Sequence, residues 1–163
     1  LDTMIYYKQN YVPLAPAVRR YSNQWEFMFV FSKGKPKTFN PVVVPKNIVM
    51  KKDRTYGYRQ KDGTILKKKF HSEREDKDKT NVWEYAVGGN DTGHPAVFPI
   101  KMAIDHILSW TNKGDIVYDP FMGSGTTAIA AKKLDRKYIG SEMSEEYFKI
   151  INKRLRNTAN PLF

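Results

Sequence analysis

At 163 residues, with 40% hydrophobic and 13% aromatic side chains, the chain is long enough to bury one real core, which excludes a low-complexity or wholly disordered segment. Its 28 Lys and Arg against 17 Asp and Glu give a formal charge of +11 and a pI near 9.7, which points to a polyanionic partner, nucleic acid ahead of an anionic membrane surface. With no cysteine there is neither a disulfide framework nor a thiolate metal site, and no stretch reaches the roughly 18 apolar residues of a spanning helix, so no metal and no membrane partner are expected.

The N-terminus lacks the sections of a secretion signal, which suits a cytoplasmic setting, and it begins at Leu1, so the start of the natural protein is expected upstream. Residues 3–7 are β-branched and aromatic, as are residues 26–32, which end at the turn signal Lys33-Gly34-Lys35-Pro36; both are predicted as strands. Between them, residues 10–24 contain Pro13 and Pro16, which oppose both a helix and a central strand, and a loop is predicted.

Residues 34–82 read as a basic insertion. Its densest part, 46–79, sets twelve Lys and Arg against six Asp and Glu and so carries about half the excess charge. Within it, Tyr56-Gly57-Tyr58-Arg59 and Thr64-Ile65-Leu66 flank Asp62-Gly63, a dipeptide that tolerates the positive φ angles of a tight hairpin turn, so a small basic β-ribbon is predicted. The plainer alternative is a solvated loop whose lysines only keep it soluble.

Beyond Gly93 the pattern becomes regular. Pro99 suits a first helical turn, and Ile100, Ala103, Ile104, Ile107 and Leu108 follow at helical spacing, giving a helix with one buried face that ends before Gly114. An apolar strand Ile116-Val117-Tyr118, a glycine loop over 122–125, a small-residue helix over 126–133 and a strand over 137–141 come next. Ser144 caps a last helix, where Glu145 and Glu146 favour the dipole and Tyr147, Ile150, Ile151 and Leu155 make the inner face. That order predicts a right-handed βαβ unit of a parallel sheet.

Ligands of such sheets sit where strands end and helices begin. Here that place is Asp119-Pro120-Phe121-Met122-Gly123-Ser124-Gly125-Thr126-Thr127, whose glycines permit a sharp bend and close approach to the backbone. Glu142 follows Gly125 by seventeen residues, at the end of the next strand, where a carboxylate can accept from both hydroxyls of a ribose. The loop also satisfies the loose pattern of a dinucleotide site, which keeps a nicotinamide-dependent oxidoreductase open. Asp119 argues against it, since it would repel a pyrophosphate and attract a cationic nucleoside cofactor. No Gly-Lys-Ser or Gly-Lys-Thr follows the glycines, which excludes a phosphate loop.

These strings, with Tyr138-Ile139-Gly140-Ser141-Glu142, resemble the cofactor motifs of amino DNA methyltransferases, which methylate adenine N6 or cytosine N4. His94-Pro95-Ala96-Val97-Phe98-Pro99 is similar to the His-Pro motif that precedes the loop in the permuted class of that family. The resemblance implies an α/β, Rossmann-like fold, here incomplete, with a parallel βαβ unit and an antiparallel hairpin. S-adenosyl-L-methionine is the implied cofactor. Phe121, Gly123, Ser124, Gly125 and Thr126 would wrap it, Asp119 would address its amino group, Glu142 would hold its ribose, and Ala96 and Phe98 would line its methionine side. His94 reads better as a helix-entry residue than as a catalytic one. Residues 34–82 fall where the class carries its target-recognition region, so Arg54, Tyr56, Tyr58, Arg59, Lys67, Lys68 and Lys69 are the candidate contacts to double-stranded DNA.

The family's catalytic tetrapeptide, Asp, Asn or Ser followed by Pro-Pro and an aromatic residue, is not found. Asn160-Pro161-Leu162-Phe163 lacks the second proline and ends the chain. The catalytic part is therefore expected upstream of Leu1, no catalytic residue is assigned, and the chain alone is expected to be inactive. The missing part would also supply central strands, leaving open sheet edges that invite a second copy or a complementing chain. A non-catalytic DNA-binding subunit with a retained cofactor pocket is the other reading. Replacing Lys67, Lys68 and Lys69 by alanine should weaken DNA binding and lower the slope of log affinity against log salt by up to about three, if all three meet phosphate; an unchanged slope would mean they are only solvated.

Overall fold

The computed structural model describes residues 2–11, 19, 21–46, 54–70, 75–87 and 97–159, without the side chains of Arg54 and Phe70. In chain order the elements are β1 (Asp2–Lys8), β2 (Trp25–Val30), β3 (Val43–Pro45), β4 (Arg54–Arg59), β5 (Ile65–Phe70), β6 (Asp76–Asp78), β7 (Val82–Tyr85), α1 (Ile100–Trp110), β8 (Ile116–Asp119), α2 (Thr126–Lys133), β9 (Lys137–Gly140) and α3 (Glu145–Asn157). They fall into two compact units, Val43–Lys79 on the one hand and Leu1–Val42 with Thr80–Phe163 on the other.

The larger unit holds two sheets. β1 and β2, both read as strands from the sequence, pair antiparallel, and β1 pairs parallel with β7, giving the order β2-β1-β7. β8 and β9 run parallel, with Ile116 opposite Lys137 and Asp119 opposite Gly140, and α2 makes the crossover between them. Pro99 caps α1 from outside instead of joining its first turn.

Helix α1 ties the sheets together. Its Ala103 and Ile107 pack on Ala130, Ala131 and Leu134 of the α2 region, while Met102 packs on a second cluster of Met4, Tyr6, Trp83 and Tyr85. The helix also buries one carboxylate: Asp105 is 2% exposed and accepts from Tyr85 Oη at 2.7 Å and Lys101 Nζ at 2.9 Å. A buried charge needs such partners to offset its lost hydration. The last carbonyls of α1 are met by Asn40, whose Nδ2 donates to Leu108 and Thr111 at 3.1 and 3.3 Å, and by Arg136, whose Nη2 donates to the Thr111 carbonyl at 2.9 Å.

Each sheet leaves one face uncovered among the described residues. On β2 the even positions Met28 and Val30 face the core, so Trp25, Phe27 and Phe29 stand on the other side and continue to Phe31 as an aromatic row with centroid spacings of 4.7, 5.5 and 6.3 Å. On β8 and β9, Ile116, Tyr118 and Ile139 are likewise exposed. The outer edges of β2 and β8 have no strand partner among the described residues.

In the smaller unit, β4 and β5 form an antiparallel ribbon and β3 pairs with β6. The ribbon turn differs from the expected one. Positive φ occurs at Gly63 alone, at 88°, the Gly63 amide closes on the Gln60 carbonyl at 3.0 Å, and the Asp62 carboxylate accepts from the Thr64 amide at 2.9 Å. This is a longer loop with glycine at its left-handed position, because Asp62 spends its side chain on a local cap.

Burial, the hydrogen bond to Asp105 and that residue's charge push the Tyr85 hydroxyl far above its ordinary value of 10.0, so it keeps its proton as the donor. Such a raised acid adds stability that is present below pH 10.0 and lost as pH rises past it. Tyr85→Phe should therefore cost about 1.5–3 kcal/mol in urea denaturation at neutral pH. The gap to the parent protein should narrow above pH 10; an equal gap at both pH values would refute the assignment.

Candidate functional site

The bend between β8 and α2 is shaped by two glycines. Gly123 has φ 51° and Gly125, the N-cap of α2, has φ 82°. At Gly125 the need is double, for a Cβ there would also meet Ile151 of α3 at 3.1 Å. Across the bend, β9 comes so close that a Cβ on Gly140 would lie 2.7 Å from the Asp119 carbonyl and 2.4 Å from Met122 Sδ. This approach carries Glu142 to the bend, where it accepts from the Gly123 amide at 2.7 Å and the Ser144 amide at 2.9 Å.

Helix α3 holds the bend from behind. Ser144 Oγ caps it by accepting from the Tyr147 amide at 3.3 Å, and Arg154 donates to the Ser124 carbonyl and, at 3.0 Å, to Ser124 Oγ. Burial lowers the affinity of that guanidinium for its proton. At the far end of the helix, Lys132 of α2 donates to the carbonyls of Leu155 and Thr158 at 2.8 and 2.9 Å, satisfying groups that a helix leaves open.

In front of the bend lies a cavity of about 310 Å³ lined by Val97, Phe98, Phe121, Met122, Gly123, Ser124, Thr126, Glu142 and Tyr147. Among the described residues, Glu142 is the one charged side chain in that lining. Phe121 stands 88% exposed, an apolar ring held at the rim with its face open to stack on a planar ligand.

Of the residues singled out from the sequence, Phe98, Phe121, Gly123, Ser124, Thr126 and Glu142 are brought together on this wall. Gly125 is buried behind it, where its role is to admit α3. Asp119 ends β8 outside the lining, and its Oδ1 accepts from the Phe121 amide at 3.0 Å, so it shapes the bend directly. Ala96 and His94 lie outside the described residues. Sequence reasoning took Tyr147 for the inner face of a helix and gave Arg154 no part; only their distance from the bend in three dimensions singles them out. A second, apolar cavity of about 410 Å³, lined by residues including Met28, Phe98, Met102, His106 and Val117, lies between β2 and β8.

A glycine bend at the carboxyl end of a parallel strand, with an acid at the end of the next, is where Rossmann-like α/β domains seat their ligands. The model of the N6/N4 family described as DNA methylase matches residues 1–153, and the chain belongs to that family. It is similar to the orphan methyltransferase M.BamHII of Bacillus amyloliquefaciens, at 46% identity over 96% of this chain and 62% of that protein. A shorter match, to the type II methyltransferase M2.DpnII of Streptococcus pneumoniae, is 47% identical over 38% of this chain and 23% of the relative. Among solved structures, the M1.HpyAVI–SAM complex superposes with a TM-score of 0.59 at 31% identity, covering 95% of this chain and 61% of that one. The chain thus spans about three fifths of the length of the relatives it matches most fully.

Gly125→Ala should cost about 1–2 kcal/mol from its left-handed backbone alone, plus the displacement of Ile151. Gly114→Ala is the matched control, since Gly114 has the same φ of 82° with open space around it. Thermal melting should place Gly125→Ala clearly below Gly114→Ala; equal melting points would mean that α3 does not hold the bend.

Proposed function

We propose that the chain is the cofactor- and DNA-binding part of an S-adenosyl-L-methionine-dependent DNA methyltransferase that methylates an exocyclic amine, adenine N6 or cytosine N4. The observation that carries this reading is the lining of the bend cavity, which among the described residues offers a carboxylate and no cation. Glu142 would repel a pyrophosphate there, whereas a sulfonium nucleoside gains from the same charge.

The residues present fit that cofactor. Glu142 accepts from two backbone amides at the bend and stands just beyond the end of β9, where a carboxylate is placed to accept from ribose hydroxyls. Phe121 offers a face to the adenine, Ser124 and Thr126 offer hydroxyls, and Phe98 with Val97 bounds the methionine side. Asp119 adds negative charge beneath the bend. When bound, S-adenosyl-L-methionine supplies an electrophilic methyl group. An exocyclic amine attacks it poorly while its lone pair is spread into the ring, so a base-binding segment must localise that pair, and such enzymes take the base out of the duplex to reach it.

The basic unit 43–79 is proposed to bind double-stranded DNA, and a cytoplasmic setting follows from that substrate. The open edges of β2 and β8, with the aromatic row beside one of them, suit a complementing chain that adds strands between the two sheets. A second copy of this chain is the other outcome, and light scattering across a concentration series separates the two.

Calorimetric titration should give tighter binding of S-adenosylhomocysteine than of NAD, and Glu142→Ala should weaken the former at least about tenfold, the loss expected of a charged hydrogen-bonding group. Tighter binding of NAD would overturn the cofactor assignment. Methyl transfer to unmodified duplex DNA, assayed with the residues encoded before Leu1 restored, should be positive. Inactivity of that longer chain with intact DNA binding would favour a non-catalytic DNA-binding subunit.

A further inference from the structure

The ribbon of β4 and β5 has two chemically different faces. Its register sets Thr55 opposite Lys69, Gly57 opposite Lys67 and Arg59 opposite Ile65, and in alternation with these Tyr56 opposite Lys68 and Tyr58 opposite Leu66. Because successive side chains of a strand point to opposite sides, Arg59, Lys67 and Lys69 share one face, while Lys68 stands on the other with the two tyrosines and Leu66. Among the described side chains, three cations thus lie on one side and one on the other, although Lys67, Lys68 and Lys69 are consecutive.

The three-cation face is built to meet a polyanion. Lys67 and Lys69 are separated by roughly 7 Å along the strand, and Arg59 is a diagonal neighbour of Lys67 at a similar distance. All three are exposed, and among the described residues no carboxylate forms an ion pair with any of them. The middle of this face is low, since Gly57 has no side chain and a Cβ there would meet Ile65 Cγ2 at 3.0 Å, so the long cationic side chains overtop it. At the tip of the ribbon Asp62, its carboxyl held below the usual range by the Thr64 hydroxyl and amide, offsets the charge of the adjacent Lys61. The excess of positive charge therefore lies along the flank.

Resting on the reading that the basic unit binds duplex DNA, we propose that the face bearing Arg59, Lys67 and Lys69 lies on the phosphate backbone, and that Lys68, Tyr56 and Tyr58 face away from those phosphates. The candidate DNA contacts named from the sequence then divide into two sets. One positions the ribbon on the duplex by charge, and the other, aromatic and half-exposed, is free of that task.

The test measures binding of the full chain to a fluorescent duplex across a salt series, for Arg59→Gln, Lys67→Thr, Lys69→Thr and Lys68→Thr. Each variant removes one charge from an exposed site, so bulk electrostatics change alike in all four. The first three should each lower the salt slope by about 0.9, and Lys68→Thr should leave it at the parent value. Equal losses in all four would overturn the face assignment while leaving DNA binding intact. A parent chain with no affinity for duplex DNA would instead sink the underlying reading, and displacement of the duplex by an equal concentration of double-stranded RNA would overturn the choice of DNA.

Discussion

The closeness of β9 to the bend after β8 governs the larger unit. At Gly140 the two backbones approach until no side chain fits between them, and only this lets Glu142 reach the Gly123 amide. Were β9 one side chain further away, that carboxylate would leave the wall of the cavity. Gly125 plays the corresponding part on the other side by admitting Ile151. The bend is thus a solid corner set by glycine on both flanks, and Arg154 and Lys132 lock the last helix onto it through backbone carbonyls.

Much of this corner is legible in the residues because the signals are local. Alanines at helical spacing and a glycine before them define α2, and a serine three residues ahead of Tyr147 marks the start of α3. What is not legible depends on partners remote in sequence. β7 is four residues long and becomes a strand through parallel pairing with β1, some eighty residues earlier, which no periodicity reveals. A glycine in a bend says that something comes close without saying what, and behind Gly125 the neighbour is Ile151 of α3. At Asp119 the charge is evident from the sequence, but the Phe121 amide from which Oδ1 accepts is not. Arg154 lies thirty residues from Ser124, with no spacing to connect them.

The two units present opposite surfaces. The smaller one exposes cations on a two-stranded ribbon, while the larger exposes aromatic and aliphatic side chains along sheets that are covered by helices on one side only. Parallel strands are normally buried on both faces, because their apolar side chains point both ways. Ile116 and Tyr118, on the parallel strand β8, are exposed all the same, as are Phe27 and Phe29 on the antiparallel strand β2.

One buried group sits beside these exposed strands. The Trp110 indole nitrogen is enclosed without a hydrogen-bond partner among the described residues, its ring lies 4.9 Å from that of Phe39, and it borders the cleft between the end of β2 and the start of β8. An indole donor left dry and unanswered is a free-energy debt of about 1–3 kcal/mol. Any strand that carries a carbonyl into the cleft would discharge it, and the emission of that indole would report the arrival as a change of colour.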